Sequence, residues 1–506
     1  MLARLWSAAA RGTEGFLVSV EADISGGLPR FSVVGLADAA VREARERVVA
    51  AMRNSGFVFP DGRVTVGLAP AQRRKEGSQL DLPMALGVLA ASGQLAAEPW
   101  AASCCVLGEL GLDGSVLPAA GVLGLASEAR ARGLRRALVP VANAREAALA
   151  GLTPLAVRSL AEAVVVLSGA EPPLALVGPG LRGESGAVEG PDLADVRGQA
   201  LARRALEVAA AGGHNLLLVG APGTGKSMLA ARLPGLLPPL GPQEAVEVTR
   251  LHELAGLVTP GAGLVWRRPF RAPHSAARPN ALLGGGRQDR PGELALAHRG
   301  VLFLDELPQF PHDSLECLRQ PLEERVVRLA RAGGSVEYPA DCAVIGAMNP
   351  CKCGKSGLSK NPCRCTESSV RGYRGRISGP LLDRFDLRVE LAPISVDEFR
   401  GIGKPEESSA AVRERVLRAR RLADDRHGGQ GLLNARLEAA EIRKHCSFDQ
   451  DGWNLIKTVV EKDQLSARGI GRVLRVARTI ADLAESPRIE RHHVAEALHY
   501  RGVMLG

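Results

Sequence analysis

The sequence predicts an α/β fold divided into three domains. Three features carry that prediction. Short apolar runs end in Gly, Pro or charged residues, as in NLLLV before GAPGTGKS, VLFLDE at 301–306 and VIGAMNP at 344–350. Runs of that length and composition read as buried strands of a largely parallel sheet. Residues 409–506 instead carry apolar residues at helical spacing in RERVLRARRLADDR, LEAAEIRKHC and IGRVLRVARTIADLAES, with HHVAEALHYR as a last short helix. Between the early and middle parts, EPPLALVGPGLRGESGAVEG is dense in Pro and Gly and reads as a linker. The expected boundaries are therefore 1–170, a linker at 171–190, a nucleotide-binding pattern at 191–395, and helices over 396–506 after GIGKPEESS.

Within 1–170, FSVVGL and RVTVGLAP read as strands, and AAVREARERVVAAMRNSG as a helix closed at Gly56. The chain has 506 residues, 46% hydrophobic and 24% charged, which is globular and not disordered. Aromatics make up only 3%, so Leu, Val and Ala must fill the cores. A net charge of +9 suits a polyanionic partner but is modest for this length. Only nine of the 64 basic residues are Lys, a bias that a GC-rich genome explains equally well. MLARLWSAAARG is too short and too weakly apolar for a signal peptide, and no run is long enough to span a bilayer. Few, unevenly placed cysteines are unlike a secreted scaffold. A cytoplasmic protein without a membrane partner is expected.

GAPGTGKS at 220–227 fits G-x-x-x-x-G-K-[ST], with a strand pattern before it and a helix pattern after. Glycines let the backbone amides turn onto phosphates at a helix N-terminus. ATP is expected on Gly220, Ala221, Pro222, Gly223, Thr224, Gly225, Lys226, Ser227 and Met228, with Lys226 on the β- and γ-phosphates. Ser227 and Asp305 are the expected Mg2+ ligands, and Glu306 the group that polarises water. Asn349, at the tip of a third apolar strand, either orients that water or simply begins a turn before Pro350.

These segments carry a family resemblance. DVRGQALARRALEVAAAGGHNLLLVGAPGTGKSMLA, PFRAPH, LLGGG and PGELALAHRGVLFLDEL resemble the AAA+ module of the magnesium-chelatase superfamily. SGPLLDRFDL (378–387) resembles the arginine-finger segment of that family and of the minichromosome-maintenance helicases. The resemblance maps Arg384 onto the finger that reaches a neighbouring subunit's ATP. It maps Arg468, in LSARGIGRVLRVARTIADL, onto the second sensor of a helical lid, with Arg472 and Arg475 as alternatives. A trans-acting finger implies a homo-hexameric ring.

VGLAPAQRRKEGSQLDLPMALGVLAAS and GELGLDGSVLPAAG resemble the proteolytic domain of Lon, a ribosomal-S5-like α/β fold. Lon cuts with a Ser–Lys dyad. Here Gln79 takes the place of the nucleophile, with Ser78 one position off, and Leu123 takes that of the Lys. No peptidase activity is expected. A Lon-like domain, a chelatase-like module and a lid in one chain resemble the YifB/ComM family, with GLPRFSVVGLADAAVRE and NSGFVFP as further signatures. That resemblance implies a helicase driving branch migration of DNA in homologous recombination during natural transformation, with recombination proteins as further partners. The chain departs from the family at Ser275 and Ala276, after PFRAPH, and at Gln309, where an acidic residue is usual.

DNA, whether branched, duplex or single-stranded, would be held through its phosphates. VVRLAR–AGGS–VEYP reads as a hairpin carrying Arg328 and Arg331, and the 264–290 insert carries Arg267, Arg268, Arg271, Arg278 and Arg287. Scarce aromatics favour backbone tracking over base stacking. Two further readings stand beside the DNA motor: a protein-remodelling AAA+ ATPase, and a chelatase-like motor subunit.

NPCKCGKSGLSKNPCRC, 349–365, places Cys351, Cys353, Cys363 and Cys365 as two C-x-C pairs. Structural zinc, reduced thiols and a redox or cluster role are all open; C-x-C is tighter than the usual zinc spacing. Cys104, Cys105, Cys317, Cys342 and Cys446 are expected in cores. A zinc clamp here would brace Asn349 against Arg384, so losing the thiols should impair assembly or DNA coupling more than nucleotide binding.

Overall fold

A computed structural model describes residues 2–502 apart from 13, 37–38, 76, 97–98, 170–189, 260–261, 287–289, 332–333, 357–361, 395–397, 399, 401–405, 449, 462–464 and 466. The expected linker lies outside the described residues except for Gly190, and Arg287 also lies outside them. The chain forms two compact units. One comprises Met1–Ser185, Ala245–Val265 and Ala330–Glu337; the other comprises Gly186–Glu244, Trp266–Leu329 and Tyr338–Gly506. Among the described residues, no helix is long and apolar enough to cross a membrane.

The first unit is built on a seven-stranded sheet in the order Arg30–Val34, Arg63–Ala69, Glu14–Ser25, Leu2–Arg11, Cys104–Val106, Arg136–Pro140, Thr153–Val157. Two of these strands are FSVVGL and RVTVGLAP, and the helix read at 39–56 runs Ala39–Asn54. The Ala-rich opening LARLWSAAAR is a central strand, although alanine favours helix. Its small side chains are the reason. Successive strand residues face opposite sides. Ala9 joins the core that includes the helix Asp81–Ala91, and Ala8 joins the core that includes Val122–Ala131. Alanine lets a helix close onto each face of the sheet.

The second unit holds a five-stranded parallel sheet in the order Phe270–Arg271, Val301–Leu304, Ala343–Met348, Leu216–Gly220, Leu387–Leu391. Every residue of Leu216–Gly220 is buried. One core joins Leu206 of the helix Ala200–Gly212, Leu218 of that strand, Val416 of the helix Ser409–Arg426 and Ile480 of the helix Ala467–Leu483. The C-terminal helices are Ser409–Arg426, Ala439–His445, Gln450–Glu461, Ala467–Leu483 and Arg491–Gly502. Gln450–Glu461 was not singled out by its sequence pattern. VVRLAR and GSVEYP pair as a two-stranded sheet, Val326–Arg331 with Gly334–Pro339.

Asp341, two residues ahead of the Ala343–Met348 strand, accepts ion pairs from Arg325 at 2.6 Å, from Arg299 at 3.2 Å and from Arg436. Burial by itself would raise this carboxyl, but the charges of Arg436, Arg325 and Arg299 hold it below the ordinary carboxylate value. A depressed folded pKa contributes stability above the unfolded value, about 3.9, that is lost as pH falls through the lower folded value. Asp341→Asn should cost about 3 kcal/mol, because it leaves three partly buried arginines without their shared carboxylate. Denaturant unfolding of this unit should show that loss at neutral pH, and the gap to the parent chain should narrow in acid below about pH 4.

Candidate active site

Parallel pairing brings the functional strand ends together. Val219 is opposite Met348, and Leu304 is opposite Gly346. Gly220, Asp305 and Asn349, each one residue past its strand or at its last position, therefore emerge at the same edge of the sheet. In open parallel sheets this carboxyl edge, where strand order reverses, is where ligands bind. Leu216–Gly220 lies at that reversal, between strands that come after it in the chain.

The loop after Gly220 turns through Gly223 (φ 81°) and Gly225 (φ 89°), left-handed positions that side chains disfavour. It runs into the helix Lys226–Ala230, whose neighbourhood offers free amides to an anion. Lys226 Nζ donates to the Gly220 carbonyl at 2.8 Å, to the Ala221 carbonyl at 2.9 Å and to Asn349 Oδ1 at 3.2 Å. Burial lowers its pKa, opposed by the charges of Asp305 and Glu306. A partly desolvated ammonium gains strongly from a phosphate.

Ser227 Oγ donates to Asp305 Oδ2 at 2.8 Å. A hydroxyl and a carboxylate side by side are hard oxygen donors of the kind Mg2+ takes together with phosphate oxygens. Glu306 has φ 52° and ψ 43°, left-handed for a non-glycine residue. Strain of that kind is held in place by its surroundings. Here the Glu306 N–H donates to Asp305 Oδ1 at 2.8 Å, and the side chain stays exposed beside the loop. Asn349 touches Lys226 and is therefore more than a turn former.

Two residues beside this site, and one at the far end of its central strand, escaped the sequence reading. The Tyr373 phenol, half-buried, is pushed up in pKa by burial and by the charge of Glu306, with the nearby Asn349 backbone opposing the shift. Gln199 Nε2 donates to the Thr224 carbonyl at 3.4 Å and to the Ala392 carbonyl at 2.6 Å. Asn215 Nδ2 donates to the Arg384 carbonyl at 2.9 Å, while its Oδ1 accepts from the Val344 N–H at 2.9 Å. The only cue for Asn215 was its position opening the NLLLV run.

Arg384 is mostly buried and ion-paired with Glu323, and its Nε is buried without a partner. Arg468 lies exposed in the first turn of Ala467–Leu483. The alternatives to it have internal partners. Arg472 faces Asp383 at 3.8 Å and Asp386 at 4.0 Å, and Arg475 Nε donates to the Leu437 carbonyl at 2.8 Å. Asp383 and Asp386 flank Arg384, so the helix of Arg468 and the Arg384 segment are adjacent.

The DNA-facing candidates divide. Arg267 and Arg278 are exposed, and Arg328 is exposed but paired with Glu324. The side chain of Arg331 lies outside the described residues. Arg268 turns inward, onto Glu244 at 3.0 Å and the Arg299 carbonyl at 2.6 Å, so it is committed to the protein. Arg271 is bidentate on Glu293 at 2.6 and 2.8 Å. Of the departures from the family, Ser275 is half-buried, Ala276 donates to His274 Nδ1 at 3.1 Å, and Gln309 is exposed.

In the first unit Ser78 donates to Glu109, and Gln79 and Leu123 are buried. The buried Lys75 donates to the carbonyls of Gly35, at 3.0 Å, and Pro70. Serine and lysine thus have separate partners. Cys104, Cys105 and Cys446 are buried, whereas Cys317 and Cys342 are only partly so. Cys351, Cys353, Cys363 and Cys365 converge, with sulfurs all within 4.8 Å of one another, a set able to hold a metal ion.

The sheet order, glycine loop, Lys226 and the Ser227–Asp305 pair define a P-loop nucleotide-binding protein. Residues 192–399 match the family model described as magnesium chelatase, subunit ChlI; residues 20–143 match that for subunit ChlI of Mg-chelatase, and 406–501 that for the ChlI C-terminal part. Competence protein ComM of Haemophilus influenzae is 41% identical over 99% of this chain and 98% of its own. YifB of Escherichia coli K12 is 40% identical over 98% of this chain and 96% of its own. The magnesium-chelatase 67 kDa subunit of Heliobacterium mobile is 31% identical over only 33% of the chain. The chain belongs to the YifB/ComM family of magnesium-chelatase-like proteins, whose AAA+ character is that of an ATPase.

Glu306→Gln should keep Mg2+–ATP binding and lower kcat for hydrolysis by about 10²–10⁴-fold, the range for a lost general base. Steady-state phosphate release with a nucleotide-binding titration on the same sample checks both halves.

Proposed function

We propose that this chain is an ATP-driven DNA motor, a homo-hexameric branch-migration helicase serving homologous recombination in natural transformation. The observation that carries the reading is full-length similarity to a competence protein, 41% identical over 99% of the chain, around a complete set of P-loop side chains. In it, the first domain is Lon-like and serves assembly or docking without peptidase chemistry. The helices beyond 396 act as the lid.

The geometry supports the following roles. The loop amides and Lys226 bind the phosphates of ATP, and Asn349 and Glu306 position and deprotonate water. Mg2+, held by Ser227 and Asp305, would neutralise charge on the β- and γ-phosphates. Arg384 supplies positive charge to a neighbour's γ-phosphate. Among the described residues, its side-chain partner is Glu323, and the phosphate loop provides none. That placement supports action in trans. Arg468, exposed on the adjacent helix, acts on the same side. Arg267 and Arg328 are the retained DNA-contact candidates; Arg268 is better explained by its internal partners, and Arg331 is retained from sequence alone.

Four-way-junction DNA should stimulate ATP hydrolysis, and the chain should move the branch point in a strand-exchange assay. If neither happens, the DNA motor is wrong and protein remodelling becomes the better reading. Arg384→Ala should lower hydrolysis by about 10³-fold or more while leaving ATP binding largely intact. Because finger and catalytic carboxylate would come from different subunits, an equal mixture of Arg384→Ala and Glu306→Gln chains should regain part of the activity that each lacks alone. An inactive mixture that still forms rings would refute a trans finger.

A further inference from the structure

Cys351 and Cys353 lie on the first turn beyond Asn349, and Cys363 and Cys365 lie just before the helix Glu367–Arg374. The Sγ separations are 3.4 Å for Cys351–Cys353, 3.5 Å for Cys351–Cys363 and 3.5 Å for Cys353–Cys363. All four thiols are free of disulfides. A tetrahedral ion with Zn–S bonds of about 2.3 Å sets its sulfurs roughly 3.8 Å apart. Small outward shifts of the side chains reach that spacing. Two backbone amides already point at the sulfurs, Ser356 N–H at Cys351 Sγ (3.4 Å) and Cys365 N–H at Cys363 Sγ (3.4 Å). Such outer hydrogen bonds orient thiolate ligands and offset their charge. Lys352 and Arg364, each between the two cysteines of a pair, are exposed and add positive charge near a site that would carry a net negative one. Soft thiolates select zinc over the Mg2+ that suits the oxygen donors of Ser227 and Asp305.

Position gives the cluster its second property. Gly354 has φ 76°, and its N–H donates to the Cys351 carbonyl at 3.0 Å, closing a tight turn within the first pair. A Cβ on Gly354 would lie 2.5 Å from Cδ and 2.9 Å from Cγ of Pro222. The turn is therefore packed directly against the phosphate-binding loop. Both ends of the cysteine segment return to one place. It leaves from Asn349, which touches Lys226, and the helix that follows sends Arg374 Nε back to the Pro350 carbonyl at 3.2 Å.

We propose that Cys351, Cys353, Cys363 and Cys365 bind one Zn2+ ion, and that this ion holds the 351–354 turn as a buttress for the phosphate loop. The contacts of Gly354 favour a role nearer the phosphate loop than the expected brace between Asn349 and Arg384. Asn215 already ties the Arg384 segment to the sheet, by bonding both the Arg384 carbonyl and the Val344 N–H. Metal occupancy therefore acts first on nucleotide binding, contrary to the expectation that assembly or DNA coupling would suffer more. Without the ion, the contacts joining the two pairs among the described residues are those between thiols, and the Gly354 turn loses its anchor against Pro222. The coupling rests on the phosphate loop binding ATP, as proposed above; the metal site does not.

The test uses the full-length chain. Mass-spectrometric metal analysis after purification should find one zinc per chain. Stripping and refilling with Co2+ should produce thiolate-to-cobalt charge transfer and the d–d bands of a tetrahedral site. Those bands should vanish in Cys351→Ser/Cys363→Ser and persist in Cys317→Ser. The stripped parent chain should bind a fluorescent ATP analogue about tenfold more weakly, with Zn2+ restoring affinity. Gly354→Ala should keep the cobalt spectrum yet weaken the analogue to a similar degree. A chain without metal and without a cobalt spectrum would overturn the site. Equal analogue affinity in stripped and refilled chains would overturn the coupling. Because stripping and refilling use the parent sequence, misfolding of a cysteine variant cannot decide the result. A zinc-loaded chain that fails to bind the analogue would instead refute the ATP reading and leave the metal site standing.

Discussion

The parallel pairing of Leu216–Gly220 between Ala343–Met348 and Leu387–Leu391 is the constraint on which the second unit depends. Parallel strands all point their carboxyl ends the same way. A strand early in the chain, flanked by two late ones, therefore gathers loops from distant segments at one edge. Gly220 leads into the phosphate loop, Asp305 meets Ser227, and Asn349 meets Lys226. Asn215, at the opposite end of the same strand, secures the register by bonding both neighbouring segments. A slip of one residue would break these contacts together and reverse every side chain on the strand.

Around that frame several of the less exposed charges are gathered into ion-pair groups. Asp341 gathers Arg299, Arg325 and Arg436. Asp482, buried to 1% exposure, holds the equally buried Arg478 at 2.9 Å, with Arg426 beside it. Buried pairs of this kind contribute little net stability when intact but are costly to break. They tie hairpin base, sheet edge and C-terminal helices into one arrangement. Lys226 differs: its partners are two carbonyls and one amide, none of them charged. An ammonium held that way, with its pKa lowered by burial, retains most of its capacity to gain from an anion.

The phosphate loop, the Asp305–Glu306 pair and the cysteine pairs were legible in the sequence because each keeps its chemistry within a few consecutive residues. The helices beyond 409, Gln450–Glu461 excepted, were legible for a related reason, since apolar spacing reports a buried face directly. Tyr373, Gln199 and Asn215 were not legible. Their roles depend on which distant backbone group lies opposite them, and no local pattern encodes that. Arg267 and Arg268 make the point most sharply. They are neighbours of the same type, yet one is exposed and the other is spent on Glu244 and a carbonyl. The Ala-rich strand Leu2–Arg11 misleads by propensity, because pairing on both sides and a helix on each face outweigh alanine's preference for helix.

The sequence by itself determined the α/β class, the nucleotide loop with its acidic strand, the family, and the presence of four thiols in two close pairs. Only the tertiary structure decided what those thiols lie against. The packing of Gly354 on Pro222 turns a pair of C-x-C motifs from a link toward Arg384 into a support for the phosphate loop. The physical reason is that contact between segments more than a hundred residues apart is set by strand order and packing, which no single stretch of sequence contains.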